Sequence, residues 1–191
     1  MILAAPGSDE EVESEEWQIL RKILEMRETT KCDKFVGAST IELIRNKLLS
    51  LALNVSNRDI FIQGVPHELD LLIAKNDVKP IENVLYLPPD VLVVFEIKFR
   101  GCYGKPSLNN VKEVFDSVKK VNDKIECFYA TVSENSRYKY RATYEKLGYE
   151  CFELLTRETN LERALSMNSI RTTGDWQKLL SRLSAHIKQG V

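Results

Sequence analysis

The chain has 191 residues and a formal net charge of −1, and 43% of its residues are hydrophobic and 29% are charged. This is the composition of an ordinary globular protein, and the near-neutral charge does not by itself indicate nucleic-acid binding. No apolar run approaches the roughly 20 residues that cross a bilayer, and the N-terminus lacks the basic segment of a signal peptide. We therefore expect a cytoplasmic protein with no membrane association.

Acidic residues are concentrated at the start of the chain. Residues 1–16 contain six acidic side chains and no basic one, so the remainder carries a mild excess of basic residues. Such an excess is compatible with a local groove for phosphate groups. We predict a flexible acidic leader over residues 1–13 and a single domain over residues 14–191, with its core at about 35–155.

The first half of the chain predicts two helices followed by strands. Apolar residues recur at helical spacing in residues 14–28, and a second helix is predicted to begin at Ser39. There, Ser-Thr-Ile-Glu has the form of a capping box with Glu42 at its third helical position. Short β-rich runs follow at residues 60–65 and 68–74. After a loop at residues 76–90, residues 91–99 form an apolar run typical of a strand buried on both faces.

In the second half, helices and strands alternate. Helical spacing over residues 108–121 is followed by a strand at 125–132, a helix at 137–147 that Gly148 ends, and a strand at 149–155. A closing helix has its apolar stripe between Trp176 and Ile187. This alternation predicts an α/β (α+β) fold, with a central mixed β-sheet flanked by helices.

The four cysteines occur without a CxxC pair, which argues against a zinc ribbon. Cys127 and Cys151 lie in apolar, strand-like runs. A free thiol in such a position behaves as a small core residue.

The chemically informative residues lie in the two central strands. If these strands form an antiparallel hairpin centred on Asn83, Asp70 lies opposite Glu96, with about 5 Å between their Cβ atoms. Because strand side chains alternate, Glu68, Asp70, Glu96 and Lys98 then share one face.

Facing carboxylates next to an apolar run are destabilising unless a cation binds between them. Mg²⁺, with Mn²⁺ as an alternative, prefers such oxygen ligands. We therefore expect Asp70 and Glu96 to hold Mg²⁺, with the Ile97 carbonyl near the metal. Lys98 would stand beside it and orient or deprotonate a water molecule, its pKa lowered by the cation and by burial.

The pattern of Asp70 in one apolar strand and Glu96-Ile97-Lys98 in the next resembles the PD-(D/E)XK nuclease superfamily, which has a restriction-endonuclease-like core. The resemblance covers about residues 35–155 and implies a Mg²⁺-dependent nuclease, an endonuclease acting on DNA, with no organic cofactor. It implies that Asp70, Glu96 and the Ile97 carbonyl bind the metal and that Lys98 assists the water. Glu42 on the first core helix occupies the place of an additional ligand in many members.

The chain departs from the pattern of this superfamily in two respects. Leu69 stands where the motif has proline, at a position that varies within the superfamily. The helix after the triplet has no Gln-xxx-Tyr motif, which disfavours a RecB-type exonuclease.

Basic side chains suggest where DNA would bind. Residues 137–146 interleave basic and aromatic residues, as a surface that follows a phosphate backbone does. We predict DNA contacts from Arg137, Lys139 and Arg141, and from Lys105 in the loop after the triplet. The alternative for this helix is that its tyrosines lie on one face and pack in the core.

Three functions remain open from the sequence. The first is metal-dependent hydrolysis of DNA, for which cutting both strands favours a homodimer formed through the helix around Trp17 or the one around Trp176. The second is a non-catalytic nucleic-acid-binding module with the same fold. The third is a structural α/β partner domain in which Glu96 and Lys98 merely form an ion pair.

Overall fold

The computed structural model describes residues 33–100, 105–133, 145–156 and 174–189. These ranges contain three α-helices, α1 to α3, and six β-strands, β1 to β6. Their order is α1 (Asp33–Leu49), β1 (Phe61–Ile62), β2 (Leu71–Ala74), β3 (Leu85–Tyr86), β4 (Val91–Arg100), α2 (Lys105–Val121), β5 (Glu126–Ser133), β6 (Glu150–Thr156) and α3 (Gly174–Gln189).

The central sheet has four strands in the order β2-β4-β5-β6. Strand β2 is antiparallel to β4, whereas β4, β5 and β6 are parallel to one another. A parallel connection needs a crossover, and helix α2 provides the one between β4 and β5. The predicted mixed sheet flanked by helices is therefore confirmed.

The antiparallel pair has the register that was predicted. Leu71, Leu72 and Ile73 lie opposite Phe95, Val94 and Val93, so the hairpin is centred on residue 83. An irregularity follows between Ile73 and Ala74, away from the acidic residues. Continuing the regular register by one residue places Asp70, directly before β2, opposite residue 96.

Each face of the sheet contributes to its own hydrophobic cluster. One cluster joins the sheet to α1 and α3 and includes Phe95 and Phe128, whose rings meet edge to face at 5.7 Å. The other joins the opposite face to α2 and includes Val94 and Phe115. Because β4 is covered on both faces, its apolar run has no period-two alternation. This explains why the sequence pattern predicts a strand that is buried on both faces.

Several predicted elements have different bounds in the structure, and the strand predicted at residues 68–74 spans only Leu71–Ala74. Helix α1 begins at Asp33, so Ser39 is an interior helical residue and the predicted capping box is wrong. Tertiary packing provides the reason, since Val36 is buried in the same core cluster as Ile41 and extends the apolar face by a turn. The strand predicted at residues 60–65 is reduced to Phe61–Ile62.

The loop predicted at residues 76–90 contains further structure. Strand β3 within it pairs in parallel with β1, and a short 3₁₀ helix spans Pro88–Asp90. Two-residue strands of this kind carry too few residues for a period-two pattern.

Gly148 ends a helix as predicted. Its φ is +84°, and its N–H donates to the carbonyl of Glu145 at 3.0 Å. The acidic leader, the first predicted helix and most of the helix predicted at 137–147 lie outside the described residues. Within the described ranges, no helix is long and apolar enough to span a membrane.

Candidate metal and nuclease site

Backbone geometry brings three predicted site residues together. Asp70 directly precedes β2, and Glu96 and Lys98 lie in the second half of β4. Their positions alternate with those of Phe95 and Ile97, which are buried in the cluster with α1 and α3. All three side chains therefore belong to the face that α2 covers.

Short contacts join these side chains. The Ile97 N–H donates a hydrogen bond to Asp70 Oδ2 at 2.7 Å, so the backbone of β4 fixes the carboxylate. The Lys98 ammonium lies 3.5 Å from the same oxygen and also donates to Glu96 Oε1. One cation thus binds two carboxylates from neighbouring strands.

The site is only partly open to solvent. The Glu96 side chain is 14% exposed, against 23% for Asp70 and 37% for Lys98. Burial raises the pKa of Glu96, and the negative charge of Asp70 raises it further, while Lys98 acts in the opposite direction. The Lys98 ammonium therefore does not fully offset the effect of burial on Glu96.

The pKa of Lys98 is raised in the metal-free protein. Burial alone would lower it, but the charges of Asp70 and Glu96 together outweigh burial. The sequence interpretation expected a lowered pKa beside a bound cation, whereas here the ammonium itself fills the role of the cation. The two carboxylates therefore favour the charged form of Lys98.

The donor set suits a hard divalent cation. Two carboxylates already converge on a positive group, and Mg²⁺ usually takes one or two carboxylates and completes its shell with water and substrate oxygens. Among the described residues there is no group of three or more His, Cys, Asp or Glu side chains that could hold a metal. Asp70 and Glu96 could provide two carboxylate ligands for such an ion.

The two other predicted acidic residues have different surroundings. Glu42 lies on α1, where its carboxylate is 3.7 Å from Arg45 and its side chain is 44% exposed. Arg45 is in turn anchored by a 2.7 Å hydrogen bond from its Nε to the Ser56 carbonyl. Glu68 is exposed. The accessory role of Glu42 stays a prediction.

The predicted DNA-binding residues are mostly beyond the described structure. Lys105 is the first residue of α2, which places its backbone after the strand that carries Glu96 and Lys98. Arg137, Lys139 and Arg141 lie outside the described ranges, and their roles stay predictions.

The sequence interpretation predicted β5 as a strand but did not predict that it lies beside the site residues of β4. In the parallel register, Tyr129 of β5 lies beside Glu96, and Thr131 lies beside Lys98. Both are completely buried. The available signal was a polar Thr131 within the otherwise apolar run at residues 127–132, but recognising its neighbour required the register between two strands joined by a long crossover.

Sequence and structure comparisons give different results. No protein-family model matches this chain, and no curated protein matches it significantly in sequence. By structure it is similar to NucC of Pseudomonas aeruginosa ATCC27853 in its cAAA-bound form, with a TM-score of 0.55 and 11% identity over 93% of this chain and 100% of that one.

Two structures of NucC from Escherichia coli MS115-1 are also similar. The apo form has a TM-score of 0.54 and 12% identity over 93% of each chain. The cAAA-bound form has a TM-score of 0.50 and 11% identity over 69% of this chain and 66% of that one. At such low identity the likeness concerns the fold alone. This chain therefore has the restriction-endonuclease-like fold of the NucC nucleases.

Proposed function

We propose that this protein is a Mg²⁺-dependent nuclease that hydrolyses phosphodiester bonds within DNA. The observation that carries the proposal is the convergence of the Asp70 and Glu96 carboxylates on the Lys98 ammonium in a partly buried site of a restriction-endonuclease-like fold. Two carboxylates and a lysine are a suitable set for binding a metal and a water molecule beside a phosphate.

Each residue has a separate role in this proposal. Asp70 and Glu96 hold the metal, and the Ile97 N–H keeps Asp70 oriented toward β4. When bound, Mg²⁺ supplies charge stabilisation at the phosphate and makes a bound water more acidic. Lys98, protonated in the metal-free protein, orients the attacking water by hydrogen bonding and offsets negative charge on the phosphate. The Ile97 carbonyl is a proposed further ligand.

DNA is proposed to lie across the carboxyl-terminal end of β4. Lys105, Arg137, Lys139 and Arg141 would contact backbone phosphates, which gives affinity without sequence preference. Two cuts in a duplex need two sites, so a homodimer is part of the proposal. Neutralising each basic residue should weaken binding similarly for all sequences and reduce its dependence on salt.

The decisive experiment is cleavage of supercoiled plasmid in Mg²⁺, Mn²⁺ or EDTA. We expect nicked and linear products with either metal and none in EDTA, and a loss of about 10²–10⁴-fold in rate for Lys98→Met. Glu96→Gln and Asp70→Asn should be inactive. Since a circular substrate has no ends, product formation establishes internal cleavage.

Two matched controls separate the site from general charge effects. Glu150→Gln removes a carboxylate that is also paired with a cation, Arg182, at 2.8 Å. Lys112→Met removes an exposed lysine paired with Asp116. Both variants should cut plasmid at nearly the rate of the wild type. Equal losses in the controls and in the site variants would contradict the assigned roles.

The assay is also performed with and without cAAA. Two of the similar NucC structures contain cAAA. If this protein does not cleave DNA in buffer alone, it could require the same kind of ligand. Cleavage that appears only with cAAA would support the nuclease function and would show that a ligand controls this activity.

The proposed role of Glu42 can be tested by measuring how the cleavage rate depends on Mg²⁺ concentration. As an accessory ligand it should matter most when metal is scarce, so Glu42→Gln is expected to slow cleavage at limiting Mg²⁺ and to act normally at saturating Mg²⁺. An unchanged Mg²⁺ dependence would remove Glu42 from the ligand set.

The contact between Glu96 and Lys98 also favours a second candidate, a structural α/β domain in which the two residues only form an ion pair. In that case the wild type would neither cut nor bind DNA in any metal, and Glu96→Gln would change stability alone. Metal-independent DNA binding without cleavage would instead support a non-catalytic binding module.

A further inference from the structure

A buried hydroxyl group lies on the strand next to Lys98. Thr131 of β5 is 0% exposed, and its Oγ1 has no hydrogen-bond partner within the described structure. Strand alternation from Cys127 and Tyr129, which belong to the cluster with α2, places the Thr131 side chain on the same face as Lys98. The two residues are paired in the parallel register of β4 and β5.

An unsatisfied hydroxyl in the protein interior is costly. Buried polar side chains nearly always have a partner, and removing one without a partner in favour of an apolar group of similar shape is neutral or stabilising. Valine has nearly the shape of threonine and would suit the apolar strand better. The Thr131 hydroxyl is therefore expected to gain a partner when a neighbouring side chain changes its position.

The arrangement around Lys98 indicates which state this is. Strand β4 lies between β2 and β5. On the β2 side, the Lys98 ammonium binds the carboxylates of Asp70 and Glu96. On the β5 side, neighbouring strands are about 4.8 Å apart and Thr131 is the residue paired with Lys98, so the flexible lysine side chain could turn toward the Thr131 hydroxyl.

A divalent cation on the two carboxylates would take the place of the ammonium. The Lys98 ammonium lies 3.5 Å from Asp70 Oδ2 and donates to Glu96 Oε1, so a divalent cation bound at these two oxygens would repel it. Lys98 would then move away from β2 and lose its present acceptors. On the β5 side of β4, the buried Thr131 hydroxyl has no hydrogen-bond partner among the described residues and can act as the acceptor.

We propose that Thr131 is a positioning residue that accepts a hydrogen bond from Lys98 when a metal ion occupies Asp70 and Glu96. The inference rests on the metal site of the proposed function. Thr131 lowers the cost of displacing Lys98 from the carboxylates and retains the ammonium next to the metal.

The test measures metal affinity by calorimetry, in addition to cleavage. Thr131→Val should weaken Mg²⁺ binding about tenfold, the effect of losing one hydrogen bond to a charged group. Thr131→Ser keeps the hydroxyl and should restore affinity to within about twofold of the wild type. In EDTA, Thr131→Val should melt at the same temperature as the wild type or a few degrees higher.

Thr40 provides a matched control. It is also completely buried, but its Oγ1 donates to the Val36 carbonyl at 2.7 Å. Thr40→Val should therefore lower the melting temperature and leave Mg²⁺ affinity unchanged. A merely structural role for Thr131 would make its valine variant behave like this control.

A double-mutant cycle with Lys98→Met identifies the partner. If Thr131 acts through Lys98, Thr131→Val has no further effect on Mg²⁺ affinity once Lys98 is methionine. An undiminished effect in that background would show that the hydroxyl serves another group, such as Glu153, its paired residue on β6, and would overturn the proposal.

Failure of this inference is distinguishable from failure of the proposed function. Wild-type protein that binds Mg²⁺ and cuts DNA, with Thr131→Val unaltered in affinity, overturns the role of Thr131 alone. Wild-type protein that binds Mg²⁺ with an affinity that depends on Thr131 and Lys98, but never cuts DNA, overturns the nuclease and supports the positioning role. Absence of any metal binding overturns both.

Discussion

Replacing Lys98 by methionine tests whether the ammonium substitutes for a metal ion. Methionine keeps most of the side-chain length and removes the charge, so Asp70 and Glu96 lose the cation they share. Removing one partner of a buried ion pair leaves an uncompensated charge. The variant should therefore be less stable than the wild type in EDTA and should recover when Mg²⁺ supplies the missing charge.

The size of the loss has an upper and a lower bound. Two unit charges about 4 Å apart attract by about 4 kcal/mol at an effective dielectric constant of about 20. Lys98 is 37% exposed, so screening by solvent reduces each pair to about 1 kcal/mol. Protonation of Glu96 limits the loss to about 3.7 kcal/mol at pH 7, since a pKa unit corresponds to about 1.4 kcal/mol and glutamate normally titrates near 4.3.

We therefore expect Lys98→Met to lose about 2 kcal/mol of unfolding free energy in EDTA, which lowers the melting temperature by about 4–8 °C. Chemical denaturation and thermal melting, each in EDTA and in excess Mg²⁺, measure this. Mg²⁺ should stabilise the variant more than the wild type because no ammonium competes for the carboxylates. A variant as stable as the wild type in EDTA, or one that responds less to Mg²⁺, would refute the reasoning. The exposed Lys112→Met control should change stability by less than about 0.5 kcal/mol.

Three further variants or groups have expected outcomes. Asp70→Asn should retain near wild-type stability in EDTA because its amide oxygen can accept the hydrogen bond from the Ile97 N–H. Asp70→Ala should lose about 1–3 kcal/mol of unfolding free energy because it leaves that N–H without an acceptor. Equal denaturation midpoints for the two variants would contradict this. Gly64→Ala should lose about 1–3 kcal/mol, since Gly64 has φ +87° and a Cβ there would lie 3.1 Å from Val121 Cγ1, and an unchanged melting temperature would show that the backbone relaxes freely. Burial raises the pKa of Cys127 to about 12, so its thiol should stay unmodified by an alkylating reagent at pH 8 in the native protein and react after unfolding, as peptide mapping would show.

Much of the architecture could be predicted because its determinants are local. Helical spacing in the segments of α2 and α3 and the apolar run of β4 follow from burial of one or both faces of single elements. The hairpin register was predictable from loop symmetry and agrees with the pairing of Leu71 with Phe95. That register already places Asp70 next to Glu96.

Other features depend on partners that are distant in the chain. Helix α1 begins before Ser39 because the preceding turn is buried by tertiary packing. The pairing of β1 with β3 joins residues 61–62 to 85–86 and leaves no periodic signal. Thr131 becomes relevant only because the crossover through α2 returns β5 alongside Lys98.

By itself, then, the amino-acid sequence determined which residue types occupy the site and which strands carry them, because strand alternation and hairpin symmetry are properties of neighbouring residues. Only the tertiary structure decided the electrostatic state of that site. It brought the Lys98 ammonium onto both carboxylates, raised the pKa of Glu96 by burial, and left the Thr131 hydroxyl buried on the adjacent strand. Desolvation and charge pairing depend on distances between strands, and those distances exist only after the sheet has formed.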